Sequence, residues 1–482
     1  MEKRGRLLRA LMEYGASDYY PFHMPGHKRN EKGLDFPNPF SVDITEIDGF
    51  DNLHHPEGIL KESMERAAAV YGADRTCYLV NGSTCGLLSA IYGCVGAGGK
   101  LLMSRNCHKS VYHGVFLNYL KTEYVYPQII PGFGLQGGLL AEDVRKMLIT
   151  VPDIQAVLVV SPTYDGIVSD IRGIAEAAHE QGIPLIVDEA HGAHFAFGDR
   201  WPVPALELGA DVVIQSLHKT LPSLTQTALL HWREGYADFE EIDRYLHIFQ
   251  TSSPSYVLMA GIERCIEMMD EDEEAVMEAF WKRLKGLRDR LKGMRHLRLL
   301  DKEVKGSAGV WDMDLSKVVV STRGTALDGG KLGGILRDRY HLEMEMCGPD
   351  YVTAITTAWD TDEGLDRLGA ALLEIDGGLA EDIAGGWKDR EPAPVMEYPV
   401  IEMGIREAED REQEIVRLTE SCGRISGEYL YLYPPGIPIL APGEVISAAI
   451  LEQAAGYIRM GLPVQGLRDE NLEWIRVVKK FD

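Results

Sequence analysis

The stretch 213-VIQSLHKTLPSLTQ-226 joins an apolar run to a polar segment in which a lysine stands between a histidine and a threonine. The run from Val213 to Leu217 is typical of a buried strand, and Lys219 follows it closely. A lone lysine at the end of a strand is usually solvated. Whether Lys219 is such a surface residue or a functional one depends on what the neighbouring segments place beside it.

Short apolar runs alternate with helical patterns on both sides of this stretch, from about residue 70 to residue 235. The segment 170-DIRGIAEAAHEQG-182 predicts a helix with Asp170 as its N-cap and Gly182 just after its end. Runs that are apolar throughout, with helices between them, indicate an α/β domain whose mainly parallel sheet is covered on both faces. The predicted strands are 100-KLLMS-104, 156-AVLVVSP-162, 183-IPLIVDEA-190, 211-DVVIQS-216 and 226-QTALLHW-232.

The composition excludes several classes of protein. The 482 residues carry 49 Lys and Arg against 74 Asp and Glu, and the net charge of −25 disfavours nucleic-acid binding and suits a cationic substrate. No apolar run approaches the roughly 20 residues of a membrane helix, and the start of the chain lacks the apolar region of a signal peptide. Leu7, Leu8 and Leu11 instead predict a short amphipathic helix.

The cysteines and histidines give no sign of a metal site or a disulfide framework. The seven cysteines are odd in number and none forms a CxxC pair, so we expect free thiols in the reducing cytoplasm. His23 and His27 flank Pro25-Gly26, so no helix aligns them as metal ligands, and the adjacent His54 and His55 suggest none either. We therefore predict no metal.

Beyond about residue 260 the pattern changes. Mixed charges at helical spacing through residues 262–294 predict a solvated helix or helix pair, and 316-SKVVVST-322 and 329-GGKLGGILRDRY-340 predict a strand and a helix of a second domain. A Gly- and Pro-rich stretch at residues 384–399 predicts a linker. The predicted division is an N-terminal arm (1–60), a large domain (61–260), a small α+β domain (261–390) and a C-terminal domain (391–482).

The segment 81-NGSTCG-86 precedes a helical run and offers backbone N–H groups at a helix N-terminus. Such a terminus binds phosphate well, and Ser83 and Thr84 would add hydroxyl donors. The alternative is an ordinary helix cap without a ligand.

Two more residues stand at the ends of predicted strands. A buried lysine such as Lys219 can form a Schiff base with an aldehyde, and a carboxylate such as Asp188 can hold a pyridine nitrogen protonated. Each has an ordinary alternative, since Asp188 could be a helix cap or part of a buried salt bridge. A phosphate site, an aspartate and a lysine in this order on a parallel sheet together indicate a pyridoxal-phosphate (PLP) site.

The chain also resembles the Orn/Lys/Arg decarboxylase family, whose fold is the aminotransferase-like PLP fold type I. It is most similar to the shorter bacterial form, which is often described as arginine decarboxylase. The resemblance runs almost from end to end and is carried by eight segments: 21-PFHMPGHK-28, 43-DITEIDGFDNLHHPEG-58, 81-NGSTCG-86, 104-SRNCHKSVYHG-114, 162-PTYDG-166, 187-VDEAHGAHF-195, 216-SLHKTLPSLTQ-226 and 431-YLYPPGIPILAPGE-444.

The resemblance implies a role for each candidate site residue. Lys219 would bind the aldehyde of PLP, and Asp188 would pair with the pyridinium nitrogen. His108 would stack on the ring, and His191 would lie next to it. Four residues would hold the phosphate, namely Ser83, Thr84, Ser216 and His218.

The resemblance further implies decarboxylation of a basic amino acid, with arginine to agmatine and CO₂ first and lysine or ornithine as alternatives. It implies a homodimer or higher homo-oligomer with shared active sites, in which 250-QTSSPSY-256 reaches across the interface. The acids of residues 43–58 could meet the distal cation of the substrate or form a solvated loop. Asn52 stands where the family often has Asp, so the substrate is left open.

Two other functions are compatible with the residues alone. Another PLP enzyme of the same fold, such as an aminotransferase or a side-chain lyase, would share the lysine, aspartate and phosphate site. A catalytically silent regulatory relative is the alternative from a different class, although the intact Lys219, Asp188 and His108 argue against it.

Overall fold

The computed structural model describes residues 6–384, 398–433 and 436–480. Its strands are β1 (Tyr20–Phe22), β2 (Arg75–Leu79), β3 (Lys100–Ser104), β4 (Lys121–Val125), β5 (Ile154–Val160), β6 (Ile167–Val168), β7 (Leu185–Asp188), β8 (Val212–Gln215), β9 (Ala228–Trp232), β10 (Arg298–Leu299), β11 (Asp312–Met313), β12 (Lys317–Ser321), β13 (Leu342–Met344), β14 (Met346–Cys347), β15 (Tyr351–Ile355), β16 (Gln413–Arg417), β17 (Leu430–Leu432), β18 (Ile437–Leu440), β19 (Val464–Gln465) and β20 (Trp474–Val478).

The helices are α1 (Arg6–Gly15), α2 (Pro39–Val42), α3 (Ile59–Tyr71), α4 (Gly82–Cys94), α5 (Lys109–Leu117), α6 (Ala141–Thr150), α7 (Ile171–His179), α8 (Leu217–Thr220), α9 (Phe239–Phe249), α10 (Tyr256–Leu291), α11 (Gly329–Tyr340), α12 (Asp362–Ala384), α13 (Ile405–Asp410) and α14 (Ala448–Arg459). Two short 3₁₀ helices cover Lys302–Val304 and Leu418–Glu420. Among the helices that the structure describes, none is long and apolar enough to cross a membrane.

A seven-stranded sheet forms the centre of the molecule, in the order β2-β9-β8-β7-β5-β3-β4. Only β9 of this sheet is antiparallel to its two neighbours, and the remaining pairs are parallel. The predicted α/β fold with a mainly parallel sheet is therefore confirmed. Its parallel strands end on the same edge, which places the segments that follow β3, β5, β7 and β8 side by side.

Both faces of the sheet are covered, as the apolar strands predict. In β3, Leu101 and Met103 pack with α4, α5 and α9 on one face, and Leu102 packs with α6 and α7 on the other. Side chains alternate between the faces of a strand, so both faces must be apolar when both carry helices.

The remaining described residues form two smaller units. An antiparallel sheet in the order β10-β12-β15-β14 packs with α10, α11 and α12, and β1 pairs in parallel with β13 of the same region. The C-terminal residues form the β16-β20 pair, the three-stranded β18-β17-β19 sheet and α14 around a core of their own. The division at residues 60, 260 and 390 stays a prediction, and most of the predicted linker lies outside the described residues.

Several local predictions can be compared with the structure. α7 begins after Asp170, whose side chain accepts a hydrogen bond from the Gly173 N–H, as predicted. All seven cysteines are free. Residues 262–294 are less solvated than predicted: residues 262–291 belong to α10, which has one non-helical residue at Asp272 and buries an apolar face in the core. The charged side chains of this part of the helix are at least partly exposed, except for the buried Arg288, and they masked the buried stripe in the sequence.

A buried charge cluster, formed by His194, Asp314 and Lys317, joins the loop after β7 to the segment before β12. Asp314 accepts hydrogen bonds from the Lys317 Nζ (2.9 Å) and lies 3.2 Å from the His194 Nε2, and none of the three side chains is more than 2% exposed. Burial alone would raise the pKa of Asp314, but the Lys317 ammonium and His194 hold it well below its usual range. Breaking such a pair leaves a buried charge without a partner, which costs about 3–5 kcal/mol.

Candidate active site

A cavity of about 550 Å³ lies at the carboxyl edge of the large sheet. The segments after β3, β5, β7 and β8 supply most of its wall, and the start of α4 together with residues from three distant parts of the chain completes it. All eight site residues predicted from the sequence line this one cavity: Ser83, Thr84, His108, Asp188, His191, Ser216, His218 and Lys219. Their individual roles stay predictions.

Lys219 lies in the single turn of α8, just beyond the end of β8. Its Nζ is 3.1 Å from the Nε2 of His191. Burial lowers the pKa of Lys219, and the carboxylates of Asp188 and Glu345 offset part of that effect. A lowered pKa increases the neutral amine fraction, which is the nucleophilic form that attacks an aldehyde.

Asp188 ends β7 and is 4% exposed. One carboxylate oxygen accepts a hydrogen bond from the backbone N–H of Ala190 (3.2 Å), and among the described residues Asp188 forms no salt bridge. Burial raises its pKa, and the Lys219 ammonium offsets part of the rise. This carboxylate therefore retains acceptor capacity inside the cavity, where a cationic group would be stabilised.

His191 follows Asp188 in the loop after β7 and packs edge-on against the ring of Tyr164, with the ring centroids 4.7 Å apart. Its Nδ1 is buried and has no hydrogen-bond partner among the described residues. Burial, with the neighbouring Lys219 second, lowers the pKa of His191 well below its usual value. The imidazole is therefore neutral, and its Nε2 can accept a hydrogen bond from the Lys219 Nζ.

His108 is the N-cap of α5, where its Nδ1 accepts a hydrogen bond from the backbone N–H of Ser110 (3.2 Å). The ring is held in place through its edge, so its faces are left for stacking. Burial, with Lys219 as the second cause, lowers its pKa to about 3. A neutral ring can lie against an electron-poor aromatic ring without adding a buried charge.

Another part of the cavity wall, formed by Ser83, Thr84, Ser216 and His218, has the character of an anion site. α4 begins at Gly82, and the Oγ of Ser83 lies 2.6 Å from the Oγ of Ser216, the residue that precedes α8. Thr84 and His218 complete this group. Gly82 has a φ of +73°, which suits glycine and turns the chain into the helix. The N-terminus of α4 and three hydroxyls together offer the donors that a phosphate requires.

These features fit pyridoxal phosphate. Asp188 has a free acceptor for a protonated ring nitrogen, and Lys219 supplies an amine for the aldehyde. Two buried polar atoms of the cavity lack a partner within the described residues, the Nδ1 of His191 and the Oδ1 of Asn106. Unpaired buried polar atoms are costly in an isolated chain, and a polar ligand would satisfy them.

The sequence analysis did not identify several residues of the cavity wall. Glu345 follows β13 and is 9% exposed. One carboxylate oxygen accepts a hydrogen bond from the Met24 N–H (2.8 Å), and the other accepts one from the hydroxyl of Tyr164. Tyr433 and Ile437 enter from the C-terminal unit. Of the segment 433–444, Tyr433 and Ile437 line the cavity, and residues 434 and 435 lie outside the described part of the chain.

The acidic segment 43–58 does not line the cavity of its own chain. Asp51 instead accepts hydrogen bonds from the backbone N–H groups of Asn52, Glu57, Gly58 and Leu60, at 2.9–3.0 Å. Burial would raise its pKa, but these four donors lower it to about 2. Within one chain, Asp51 is therefore a cap for the start of α3 and not a free partner for a substrate cation.

Residues 250–256 also lie outside the cavity of their own chain. The backbone N–H of Thr251 donates to the side chain of Asn81 (3.2 Å), next to the start of α4. Their predicted contribution to a neighbouring subunit stays a prediction.

The sheet, the strand-end lysine and aspartate, and the phosphate-type helix terminus define the class of PLP enzymes of fold type I. Solved structures agree with this fold. The lysine decarboxylase A of Pseudomonas aeruginosa is 21% identical, with a TM-score of 0.75 over 98% of this chain and 80% of that one. A structure of SPT with PLP is 16% identical, with a TM-score of 0.58 over 76% of this chain and 89% of that one.

The chain belongs to the Orn/Lys/Arg decarboxylase family. The model of the family's major domain matches residues 6–321, and the model of its C-terminal domain matches residues 391–462. The arginine decarboxylase of Bacillus anthracis is 32% identical over 98% of this chain and 97% of its own length. The chain is accordingly a PLP-dependent decarboxylase, which the sequence alone had left open against an aminotransferase or a silent relative.

Proposed function

We propose that this decarboxylase acts on arginine and releases agmatine and CO₂. The observation that carries the proposal is the buried carboxylate of Glu345, which lines the same cavity as Lys219 and Asp188. A substrate with a cationic side chain requires such a partner, and the near full-length relative at 32% identity is named for arginine.

Glu345 is well placed to bind a guanidinium group. Its carboxylate is fixed by the Met24 N–H and the Tyr164 hydroxyl, so its orientation is set before the substrate arrives. A carboxylate oxygen can accept more than one hydrogen bond, and a guanidinium presents two parallel N–H groups to it. Because the Glu345 carboxylate is buried, a substrate with a neutral side chain in place of the guanidinium would leave the carboxylate without a counter-charge.

PLP bound in this cavity would supply an electron sink for the charge left on the substrate Cα by the loss of CO₂. The role of Asp188 is to keep a proton on the ring nitrogen. Its carboxylate is buried, and within the described residues it accepts a hydrogen bond only from the Ala190 N–H, so it can accept another from the cofactor. The task of Ser83, Thr84, Ser216 and His218 is to anchor the phosphate through hydroxyl, imidazole and backbone donors.

The Cα then requires a proton. Lys219 best fits this step, because its lowered pKa makes the ammonium a stronger acid and the His191 Nε2, 3.1 Å from its Nζ, orients it by accepting a hydrogen bond. Cys107 is a poorer donor: burial raises the pKa of its thiol to about 12, and its Sγ is engaged by the Ser104 Oγ at 3.2 Å.

We infer that the enzyme is a homodimer or a higher homo-oligomer. The N-terminal arm exposes several large apolar side chains, and an unpaired surface of this kind is unusual in a monomer. These side chains are Leu7 (75% exposed), Leu8 (65%), Leu11 (58%), Met12 (67%) and Phe40 (92%). Light scattering during gel filtration would measure the assembly, and a monomeric mass would contradict the inference.

The substrate is tested by incubating the PLP-loaded enzyme separately with arginine, lysine and ornithine. Mass spectrometry then measures agmatine, cadaverine and putrescine, and a Lys219→Ala variant serves as the control for catalysis by the site. Agmatine as the dominant product, absent in the variant, supports the proposal. If cadaverine or putrescine dominates, the substrate is lysine or ornithine and not arginine. A keto acid in place of any amine contradicts decarboxylation.

A further inference from the structure

A buried ion pair connects the C-terminal unit to the loop that carries His108. Arg105 follows β3 directly, and its guanidinium is 2% exposed. Its Nε and Nη2 donate to the two carboxylate oxygens of Glu444, at 3.1 and 2.9 Å, which is a bidentate contact. The two residues are 339 positions apart, so the contact is made entirely by tertiary packing.

The guanidinium is fixed by further contacts on its remaining edge. Its Nη1 donates to the hydroxyl of Tyr112 (2.9 Å) and to the carbonyl oxygen of Pro438 (2.8 Å). Glu444 in turn accepts a hydrogen bond from the Ala441 N–H (2.7 Å). The pair therefore has a single geometry, because movement of either side chain would break several buried hydrogen bonds at once.

This contact lies beside the residue that we place against the PLP ring. His108 is three residues after Arg105, and the hydroxyl of Tyr112 also donates to the Arg105 carbonyl (2.7 Å), which closes the loop on itself. Lys109, which follows His108, donates its backbone N–H to the Gly436 carbonyl (3.2 Å). The Lys109 ammonium lies 4.8 Å from the centroid of the Tyr433 ring. The C-terminal unit thus holds both sides of His108.

We propose that Arg105 and Glu444 are positioning residues for the reaction. Their ion pair fixes the loop of His108 against the segment of Tyr433 and Ile437, so that the imidazole and the outer wall of the cavity keep their spacing. The C-terminal unit is then a working part of the active site and not an appendage to it.

A buried pair elsewhere in the chain offers a matched control. Arg288 donates to Asp301 at 3.1 Å, with side chains 3% and 10% exposed, between α10 and the segment after β10. Neither residue lines the cavity. Asp301 also pairs with the exposed Lys292 at 2.9 Å. An Asp301→Asn change therefore removes a buried carboxylate from an ion pair without touching the loop of His108.

The experiment compares Glu444→Gln, Arg105→Lys and Asp301→Asn in the full chain. We expect both Glu444→Gln and Arg105→Lys to weaken PLP binding to the apo protein, measured by fluorescence titration, and to change the visible circular dichroism of the bound cofactor. We also expect a fall in kcat of about 10²-fold at saturating arginine and PLP, since a misplacement of about 1 Å has that effect. Asp301→Asn should lower the melting temperature and leave the dichroism and PLP affinity unchanged.

A double-mutant cycle separates positioning from general destabilisation. If Glu444 acts through His108, adding Glu444→Gln to a His108→Ala variant should lower kcat by less than about threefold. The imidazole that Glu444 positions is then already absent. Full additivity of the two changes would overturn the proposal. So would Glu444→Gln and Arg105→Lys variants that lose thermal stability but keep the dichroism, PLP affinity and kcat of the parent.

The inference rests on the proposed role of His108, and the single variants keep the two apart. A His108→Ala enzyme with unchanged PLP affinity and kcat would contradict that role and this inference with it. A deficient His108→Ala enzyme beside an unaffected Glu444→Gln enzyme would overturn the positioning role alone. If Glu444→Gln does not fold, Arg105→Lys, which keeps a positive charge beside Glu444, decides between these outcomes.

Discussion

The two ends of the active-site cavity are built in different ways. The end assigned to PLP consists of segments that leave one sheet at one edge, with Asp188, Lys219 and Ser216 near the ends of adjacent strands. The end that we assign to the substrate side chain is assembled from the N-terminal arm at Met24, the small sheet region at Glu345 and the C-terminal unit at Tyr433. In the function that we propose, the chemistry common to many enzymes depends on one sheet, and selection of the substrate depends on how separate units meet.

The largest effect that would sharpen this comparison is expected from Asp188→Asn. The amide cannot stabilise a proton on the ring nitrogen, so kcat should fall by about 10²–10³-fold for every basic substrate alike. Steady-state kinetics with arginine and lysine measure this. Asp211→Asn is the matched control, because Asp211 is also a buried aspartate and directly precedes β8. Its carboxylate lies outside the cavity, 2.8 Å from the His179 Nε2. An Asp188 effect confined to one substrate would contradict the division between the two ends.

A smaller and more selective effect is expected from Glu345→Gln. Losing the buried charge should reduce kcat/KM for the preferred substrate by about 30–100-fold, which corresponds to roughly 2–3 kcal/mol. The loss should appear mainly in KM, while the affinity for PLP, measured by fluorescence titration, stays near that of the parent.

Glu343→Gln, two residues earlier and outside the cavity wall, is the control for this change. If Glu345→Gln lowers kcat with KM unchanged, or weakens PLP binding as strongly as a change at the phosphate site, Glu345 belongs to the cofactor end and the comparison fails.

The smallest effect is expected from Asp51→Ala. Loss of the four backbone hydrogen bonds at the start of α3 should lower the free energy of unfolding by about 1 kcal/mol. Its folded pKa of about 2 lies below the roughly 3.9 of an unfolded aspartate. The stabilisation is therefore complete above about pH 4 and is lost as the pH falls toward 2.

Urea unfolding of the parent and the Asp51→Ala variant at pH 7 and pH 3 measures this difference, which should shrink at the lower pH. KM for arginine should be unchanged. A tenfold rise of KM without a loss of stability would instead make Asp51 a substrate partner, supplied to the cavity of a second subunit.

The PLP end of the cavity could be predicted from the sequence, and the substrate end could not. Lys219 and Asp188 each follow an apolar run that is unmistakable as a buried strand, and parallel strands bring their carboxyl ends together without further information. The start of α4 could also be predicted, because small residues precede a helical run in the sequence.

Glu345 had no such signal. It stands in 342-LEMEM-346, where two acids alternate with apolar residues, and only the packing of β13 against β1 decides which acid faces the cavity. Arg105 and Glu444 are likewise ordinary charges in the sequence, and their meeting depends on where the C-terminal unit docks. Asp51 was counted among the acids of a charged loop, since a cap formed with residues six to nine positions later follows no simple spacing.

The cluster of His194, Asp314 and Lys317 sets a limit on how such an enzyme can be recombined. His194 belongs to the loop that follows Asp188 and carries His191, whereas Asp314 and Lys317 belong to the region that presents Glu345. A chimera that takes the region of Asp314 and Lys317 from one parent and the sheet from another would bury an unpaired charge wherever the two parents differ at one of these three positions. A segment exchanged between relatives should therefore include His194 together with Asp314 and Lys317. Where the crossover lies between residues 194 and 314, all three residues should be kept unchanged.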